Sequence, residues 1–417
     1  LLSLKPNTAY LVIAWVEQKP QIRINCLFCR LTPYNIRSSL SMKRLFICNF
    51  LIFSSLAGFG QMKLIKRMLS EDLDTTRRAS FMPLPFLRYS QEVGLEFGVG
   101  ALYSTYLDKN DPINRSSNFA TILSVSTKKQ YNVTFKGDIW TKNNDYHIIA
   151  DLRLRSTPFD FFGIGNQTLE ADKDRIVQHQ IRTGIDVEKN IFPFAYTGIS
   201  ANFERNTFRD EQPGGILDTD PAIIDKKGGS AAFLGVSQTY DTRNSNNYPT
   251  HGFFGRVSYQ YAPDLFGKED FNGSQIRVVV KNFWPLAKKL VLGVNGIYYT
   301  VQSKNTPFYM MPQLGNEDIM RGYYAGRYRD ENLLAGQAEL RYRFSNRFGL
   351  AAFAGGGRVF ANGDFSLKQF KPSVGGGLRY FFDPAKGLSV RADYGIGEKR
   401  PNEARQSGFY LSLAEAF

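Results

Sequence analysis

From Phe253 to Tyr261 the apolar and aromatic residues fall on alternate positions (Phe253, Gly255, Val257, Tyr259, Tyr261), with Arg256, Ser258 and Gln260 between them. The same two-residue period runs through Leu334, Gly336, Ala338, Leu340, Tyr342 and Phe344, opposite Gln337, Glu339, Arg341 and Arg343. It returns at Leu388, Val390, Ala392 and Tyr394, against Ser389, Arg391 and Asp393. A period of two marks β-strands with two unlike faces. A sandwich shares that period but would turn the apolar face inward and supply few tyrosines at strand ends. A membrane barrel reverses the sides, because an Arg or Lys against lipid costs about 2–4 kcal/mol near the midplane. The charged faces are therefore expected to line an interior. After residue 60 no stretch approaches the roughly eighteen uninterrupted apolar residues of a membrane helix.

Reading back from Phe417, strands are expected at about 408–417, 387–396, 373–382, 348–360 and 333–344, then, before a long loop at 303–332, at about 289–302, 273–284, 251–262 and 230–242. A second loop, 208–229, separates these from strands at about 192–207, 175–189, 146–157, 130–141, 117–128 and 91–106. A barrel with both ends on one side needs an even number of strands. The missing one is expected in the gap 158–174, at Phe159–Asn166. The expectation is an all-β fold, a 16-stranded antiparallel transmembrane β-barrel over 91–417 with a long lumenal or extracellular loop. Asp241–Gly252, dense in turn formers, falls by parity on the periplasmic side.

Composition changes the picture mainly at the front. Met42-Lys43-Arg44, the apolar run Leu45–Leu56 and Ala57-Gly58-Phe59-Gly60 have the form of a secretory signal peptide, 42–60. Residues 1–41 start on Leu1 and read as upstream sequence, and 61–90 as a short periplasmic lead-in. All three cysteines (Cys26, Cys29, Cys48) precede residue 61, so Cys26-x-x-Cys29 carries no redox or zinc reading and the exported chain is expected to hold no thiol. The leader holds seven Lys/Arg and one Glu, so the formal net charge of +14 becomes +8 beyond residue 60. That charge is dispersed over strands and loops, which suits a polar lumen and anionic lipid headgroups and not nucleic acid.

The long loop carries Gly315-Asn316-Glu317-Asp318-Ile319-Met320-Arg321-Gly322-Tyr323-Tyr324. The tetrad Met320, Arg321, Gly322, Tyr323, five strands before the C-terminus, resembles the sixth-loop signature of the BamA/TamA-type surface-antigen superfamily. Asp241, Arg243, Pro249 and Gly252 are similar to that family's periplasmic turn. Gly377-Leu378-Arg379-Tyr380, Asp383-Pro384 and Leu388–Asp393 resemble its penultimate hairpin, and Phe162–Asn166 its early strand motif. The resemblance implies that the loop folds into the lumen and that Arg321 pairs with acids on the inner wall. Glu339 matches one family acid. Gly355 stands where the second is expected, which leaves Asp393 as the substitute partner. It also implies periplasmic POTRA domains, for which residues 61–90 are too few.

Phe409, Leu411, Leu413 and Phe417 occupy one face of the last expected strand, interrupted by Glu415. This resembles the β-signal read by the barrel assembly machinery, with this chain as its substrate. The three histidines, His147, His179 and His251, have no metal-ligand spacing, and no HExxH, P-loop or GxSxG occurs. No enzymatic role, metal or cofactor is expected. The function expected is help with protein or lipid insertion or translocation at the bacterial outer membrane. Its expected partners are outer-membrane lipid and a separate POTRA or chaperone subunit. The alternative is a passive pore or structural barrel in which Arg321–Glu339 merely plugs the lumen.

Overall fold

The computed structural model describes residues 75–90, 94–267 and 270–417. The upstream segment, the signal peptide, the cysteines and the first part of the lead-in lie outside the described residues. The strands are β1 (Ser80–Ser90), β2 (Gly94–Thr105), β3 (Ser117–Ser126), β4 (Tyr131–Trp140), β5 (Tyr146–Phe161), β6 (Asp174–Phe192), β7 (Ala195–Asp210), β8 (Gly228–Asp241) and β9 (Gly252–Ala262). They continue with β10 (Gly273–Ala287), β11 (Leu290–Gln302), the short pair β12 (Gln313–Leu314) and β13 (Tyr328–Arg329), β14 (Asn332–Tyr342), β15 (Phe348–Phe360), β16 (Lys371–Asp383), β17 (Leu388–Ile396) and β18 (Ser407–Leu413). All but β12 and β13 form one 16-stranded antiparallel sheet in chain order, the wall of a β-barrel.

The wall sorts its side chains as the alternation requires. Val257, Tyr259 and Tyr261 of β9 are exposed on the outer face. Glu339 and Arg341 of β14 are enclosed, with 0% and 1% exposure. The ring is linked across its periplasmic end: Asn247 Nδ2, in the β8–β9 turn, donates to Ser116 Oγ (2.9 Å) and to the Lys386 carbonyl (3.1 Å). Lys386 Nζ in turn donates to Ser80 Oγ at the start of β1 (2.7 Å). Three turns and the first strand thus meet around one mouth.

The count of sixteen holds, but the missing strand is elsewhere. Phe159–Phe161 continue β5, while Phe162–Asn166 leave the sheet and Gly165 N donates to the Arg329 carbonyl of the lumenal loop (2.7 Å). The additional strand is β1, inside the segment read as lead-in. Pro83 and Pro85 hide it from a propensity reading, since proline supplies no donor and survives only on edge strands. Among the described residues β1 is such an edge, paired with β2 alone in unbroken register from Ser80↔Ser104 to Ser90↔Gly94.

The last strand is also corrected. β18 ends at Leu413, and Ala414 has φ 71°, a left-handed conformation that ends the alternation. Phe409 and Leu411 face outward, 50% and 52% exposed, as read. Phe417 does not extend that stripe: it is 5% exposed and packs inside with Phe283, Val291 and Ala416. Glu415, read as a charge on the lipid stripe, accepts from Arg379 Nε (2.8 Å) and Ser389 Oγ (2.9 Å). The single left-handed residue turns the chain inward, where its carboxylate finds a guanidinium.

The sidedness makes a measurable prediction. Val257→Arg, at the centre of the outer face of β9, should destabilise the folded barrel by about 2–4 kcal/mol. Gln260→Arg, on the inner face of the same strand, should cost much less. Urea unfolding in lipid vesicles, followed by the heat-modifiable gel shift, separates the two.

Candidate functional site: the lumenal arginine network

The loop between β11 and β14 descends into the lumen, and its tetrad lies against β14–β18. Met320 is fully buried with φ 58°. Gly322 has φ 107°, and a Cβ there would lie 2.8 Å from the Ile396 backbone. Across the contact, a Cβ on Gly395 would fall 2.6 Å from Arg321 C and Gly322 N. Two glycines therefore let the loop backbone touch the wall. The contact is fastened by Gly322 N–H donating to Tyr410 Oη (2.9 Å) and Tyr323 Oη donating to the Pro372 carbonyl (2.6 Å).

That seating places Arg321, 0% exposed, between two carboxylates. Its Nη2 donates to Glu339 Oε2 and its Nη1 to Asp393 Oδ2, each at 2.5 Å. The guanidinium carbon stacks 3.5 Å from the Phe353 ring centroid. Each acid is shared among three arginines: Glu339 also contacts Arg341 Nε (2.7 Å) and Arg379 (3.5 Å), while Asp393 also holds Arg379 and Arg391 (2.9 Å). Arg341 Nη2 goes on to the Phe417 carbonyl (2.7 Å), and Arg379 to Glu415. The planar, permanently charged guanidinium suits this sharing, since it presents several donors in fixed directions.

Both expected acids are therefore brought onto Arg321, with Asp393 supplying what Gly355 lacks. The sequence reading missed Arg341, Arg379 and Arg391 as members of the network, together with Phe353 and Glu415. The inward positions of Arg341 and Arg391 were readable from alternation, whereas Glu415 was read on the outer stripe and the convergence across four strands and a chain end was not legible.

The periplasmic turn is a second cluster. Arg243 grips Asp241 in a bidentate pair, Nε to Oδ1 (2.9 Å) and Nη2 to Oδ2 (2.8 Å), and Arg115 adds a further ion pair. Asp241 and Pro249 are buried, and Gly252 opens β9. Tyr248, at the turn's tip, meets Phe381 edge-on at 5.0 Å. The turn thus lies over the periplasmic mouth, beside a cavity of about 890 Å³. Among the described residues no cluster of His, Cys, Asp and Glu could hold a metal ion.

The Omp85 superfamily domain matches residues 91–417. The chain belongs to the Omp85 superfamily. The lumenal Arg321 loop, read from sequence as a surface-antigen signature, thus sits in an Omp85 barrel. Similar solved structures include BamA from Haemophilus ducreyi lacking POTRA domains 1–3 (13% identity, TM-score 0.49, covering 81% of this chain and 69% of that one). They also include CdiB from Acinetobacter baumannii (11%, 0.49, 81% and 60%) and CdiB from Escherichia coli (10%, 0.50, 81% and 62%). At such identities the Escherichia coli CdiB likeness shows a shared fold. The chain spans about three fifths of the two CdiB chains. No curated protein matches this Omp85 chain.

Asp393→Ala should strand Arg321, Arg379 and Arg391 with fewer carboxylate partners and cost about 3–5 kcal/mol, the usual penalty for breaking a buried ion pair. Gly395→Val should instead push the loop off the wall while leaving every charge in place. Limited proteolysis of intact cells would then cut within 303–331 in the Gly395 variant and spare the parent.

Proposed function

We propose that this Omp85 barrel assists insertion or translocation of protein or lipid at the outer membrane, by a non-enzymatic route, through a weak seam between β1 and β18. The observation that carries this reading is the pair of prolines on the free edge of β1. Pro83 and Pro85 are two residues apart, so their nitrogens point the same way. Because β1 keeps unbroken register with β2 through both, those nitrogens face away from β2, on the edge of β1 that pairs with no strand among the described residues. Two positions on that edge can donate no hydrogen bond to a strand added there. β18 itself spans only seven residues, Ser407–Leu413, against eleven in β1. In hydrocarbon every unpaired backbone group is costly, so such a junction is the place in the wall where a client strand or lipid gains most by entering.

The network around Arg321 supports the same reading by holding the lumenal loop against β14–β18, the wall beside the seam. A loop lodged in the lumen also disfavours a passive open pore. The partners that follow from the reading are outer-membrane lipid, a client chain, and a periplasmic POTRA or chaperone subunit. Phe409 and Leu411, outward on β18, are the residues left to present the strand to the barrel assembly machinery.

The test is to give the seam its donors back. In vesicles, the wild-type barrel should accelerate folding of an added, urea-unfolded outer-membrane protein. Pro83→Val combined with Pro85→Val should slow that reaction about fivefold or more and raise the heat-modification temperature. Equal rates in the two proteins would remove the seam reading. A large, steady planar-bilayer conductance from wild type would favour the pore instead.

A further inference from the structure

Above the Arg321 network, between the lumenal loop and the wall of β5–β11, lies a separate cavity of about 410 Å³. Its lining carries Arg153, Arg155, Arg182, Arg277 and Lys281 with two carboxylates, Glu204 and Asp318; Arg182 pairs with Glu204 (3.7 Å) and with Asp151 (3.3 Å), and Arg153 with Asp151 (3.9 Å). Both carboxylates are already engaged. Glu204 accepts from Gln180 Nε2 and Asn206 Nδ2 (2.8 and 2.9 Å), and Asp318 pairs with Arg391 at 3.3 Å. Arg277 and Lys281, inward on β10, have no hydrogen-bond or carboxylate partner among the described residues. Arg277 is open to lumenal water. Lys281 lies over the Phe254 ring at 5.6 Å, so the charge of both side chains on this strand is left without a compensating acid.

A second, independent feature lies in the same cavity. Tyr309, 8% exposed, presents a hydroxyl without a partner, and Asn295 and Gln180, each 5% exposed, present amide oxygens without one. Buried polar atoms of this kind are costly to leave unpaired. Tyr309 comes from the loop and the others from β11 and β6, so three elements bring enclosed, unpartnered polar atoms to the lining of one space. The volume lies in the range of small-molecule sites.

We propose that this cavity binds a phosphorylated sugar. Arg277 and Lys281, with Arg155 in the same lining, hold the phosphate groups through charge-assisted hydrogen bonds. Tyr309, Asn295 and Gln180 receive the sugar hydroxyls, where acceptor oxygens suit ligand O–H donors. The site does not depend on the seam or on any client, and it takes the phosphorylated sugar either free or as a lipid headgroup.

The probe is glucose 1,6-bisphosphate, titrated calorimetrically into the purified full chain in detergent. Saturable one-to-one binding is expected, weakening as salt rises from about 50 to about 300 mM, as it must for a charged site. Arg277→Gln with Lys281→Gln should weaken it about tenfold or more, and Tyr309→Phe about fivefold. Both variants should keep the wild-type heat-modifiable gel shift, which shows that the barrel is folded. Glucose should not bind, and pyrophosphate should bind less tightly than the sugar bisphosphate. Absence of saturable binding, or equal affinity in the Arg277/Lys281 variant, overturns the site. Equal affinity for pyrophosphate and for the sugar overturns the assignment of Tyr309, Asn295 and Gln180 to hydroxyls. Competition of the bound sugar by a bisphosphorylated glycolipid in vesicles supports the site with a lipid source; competition by soluble sugar phosphates alone supports it with a free one.

Discussion

Arg321 can sit without exposure in the lumen only because Glu339 and Asp393, on strands separated by two others, converge on its two terminal nitrogens. Much of the surrounding architecture serves that convergence. Two glycines let the loop backbone approach the wall, Phe353 supplies a stacking face, and Arg341, Arg379 and Arg391 share the same acids. Removing one member would leave others charged and enclosed, so the network behaves as a unit. It ties the loop, β14 and β16–β18 into one body, and through Phe417 and Glu415 it includes the last residues of the chain.

The same low-dielectric interior explains both order and openness in the lumen. On the side of β14–β18, cations are matched to acids and the loop is seated closely. On the side of β5–β10, Arg277 and Lys281 are left without acids, and the cavity is lined largely by polar groups. At the periplasmic mouth Asp241, Arg243 and Arg115 repeat the matched arrangement on a smaller scale, and Tyr248 closes over it. The barrel is therefore not a uniform tube: its fastened regions lie near the β18 end and the periplasmic turn.

Much of this was legible in the residues. Period-two alternation is imposed locally by strand geometry and globally by lipid, so the outer faces of β9, β14 and β17 could be read directly. The Met320–Tyr323 tetrad, Glu339 and the periplasmic turn were also within reach, because each is a short segment with a distinctive residue set. β1 was not, since Pro83 and Pro85 argue against a strand unless one knows that it forms an edge. Whether a strand is an edge depends on the whole sheet.

The sequence by itself determined which side chains must face inward, because one-residue steps and the cost of charge in lipid are local facts. Parity required an even number of strands without showing which segment completes it, and the tetrad marked the residue that anchors the loop. Only the tertiary structure decided which inward charges meet. Asp393 reaches Arg321, Arg379 bridges Glu339, Asp393 and Glu415, and one left-handed residue at Ala414 turns Phe417 away from the lipid stripe. Such choices depend on curvature and register summed over many strands, and no window along the chain contains them.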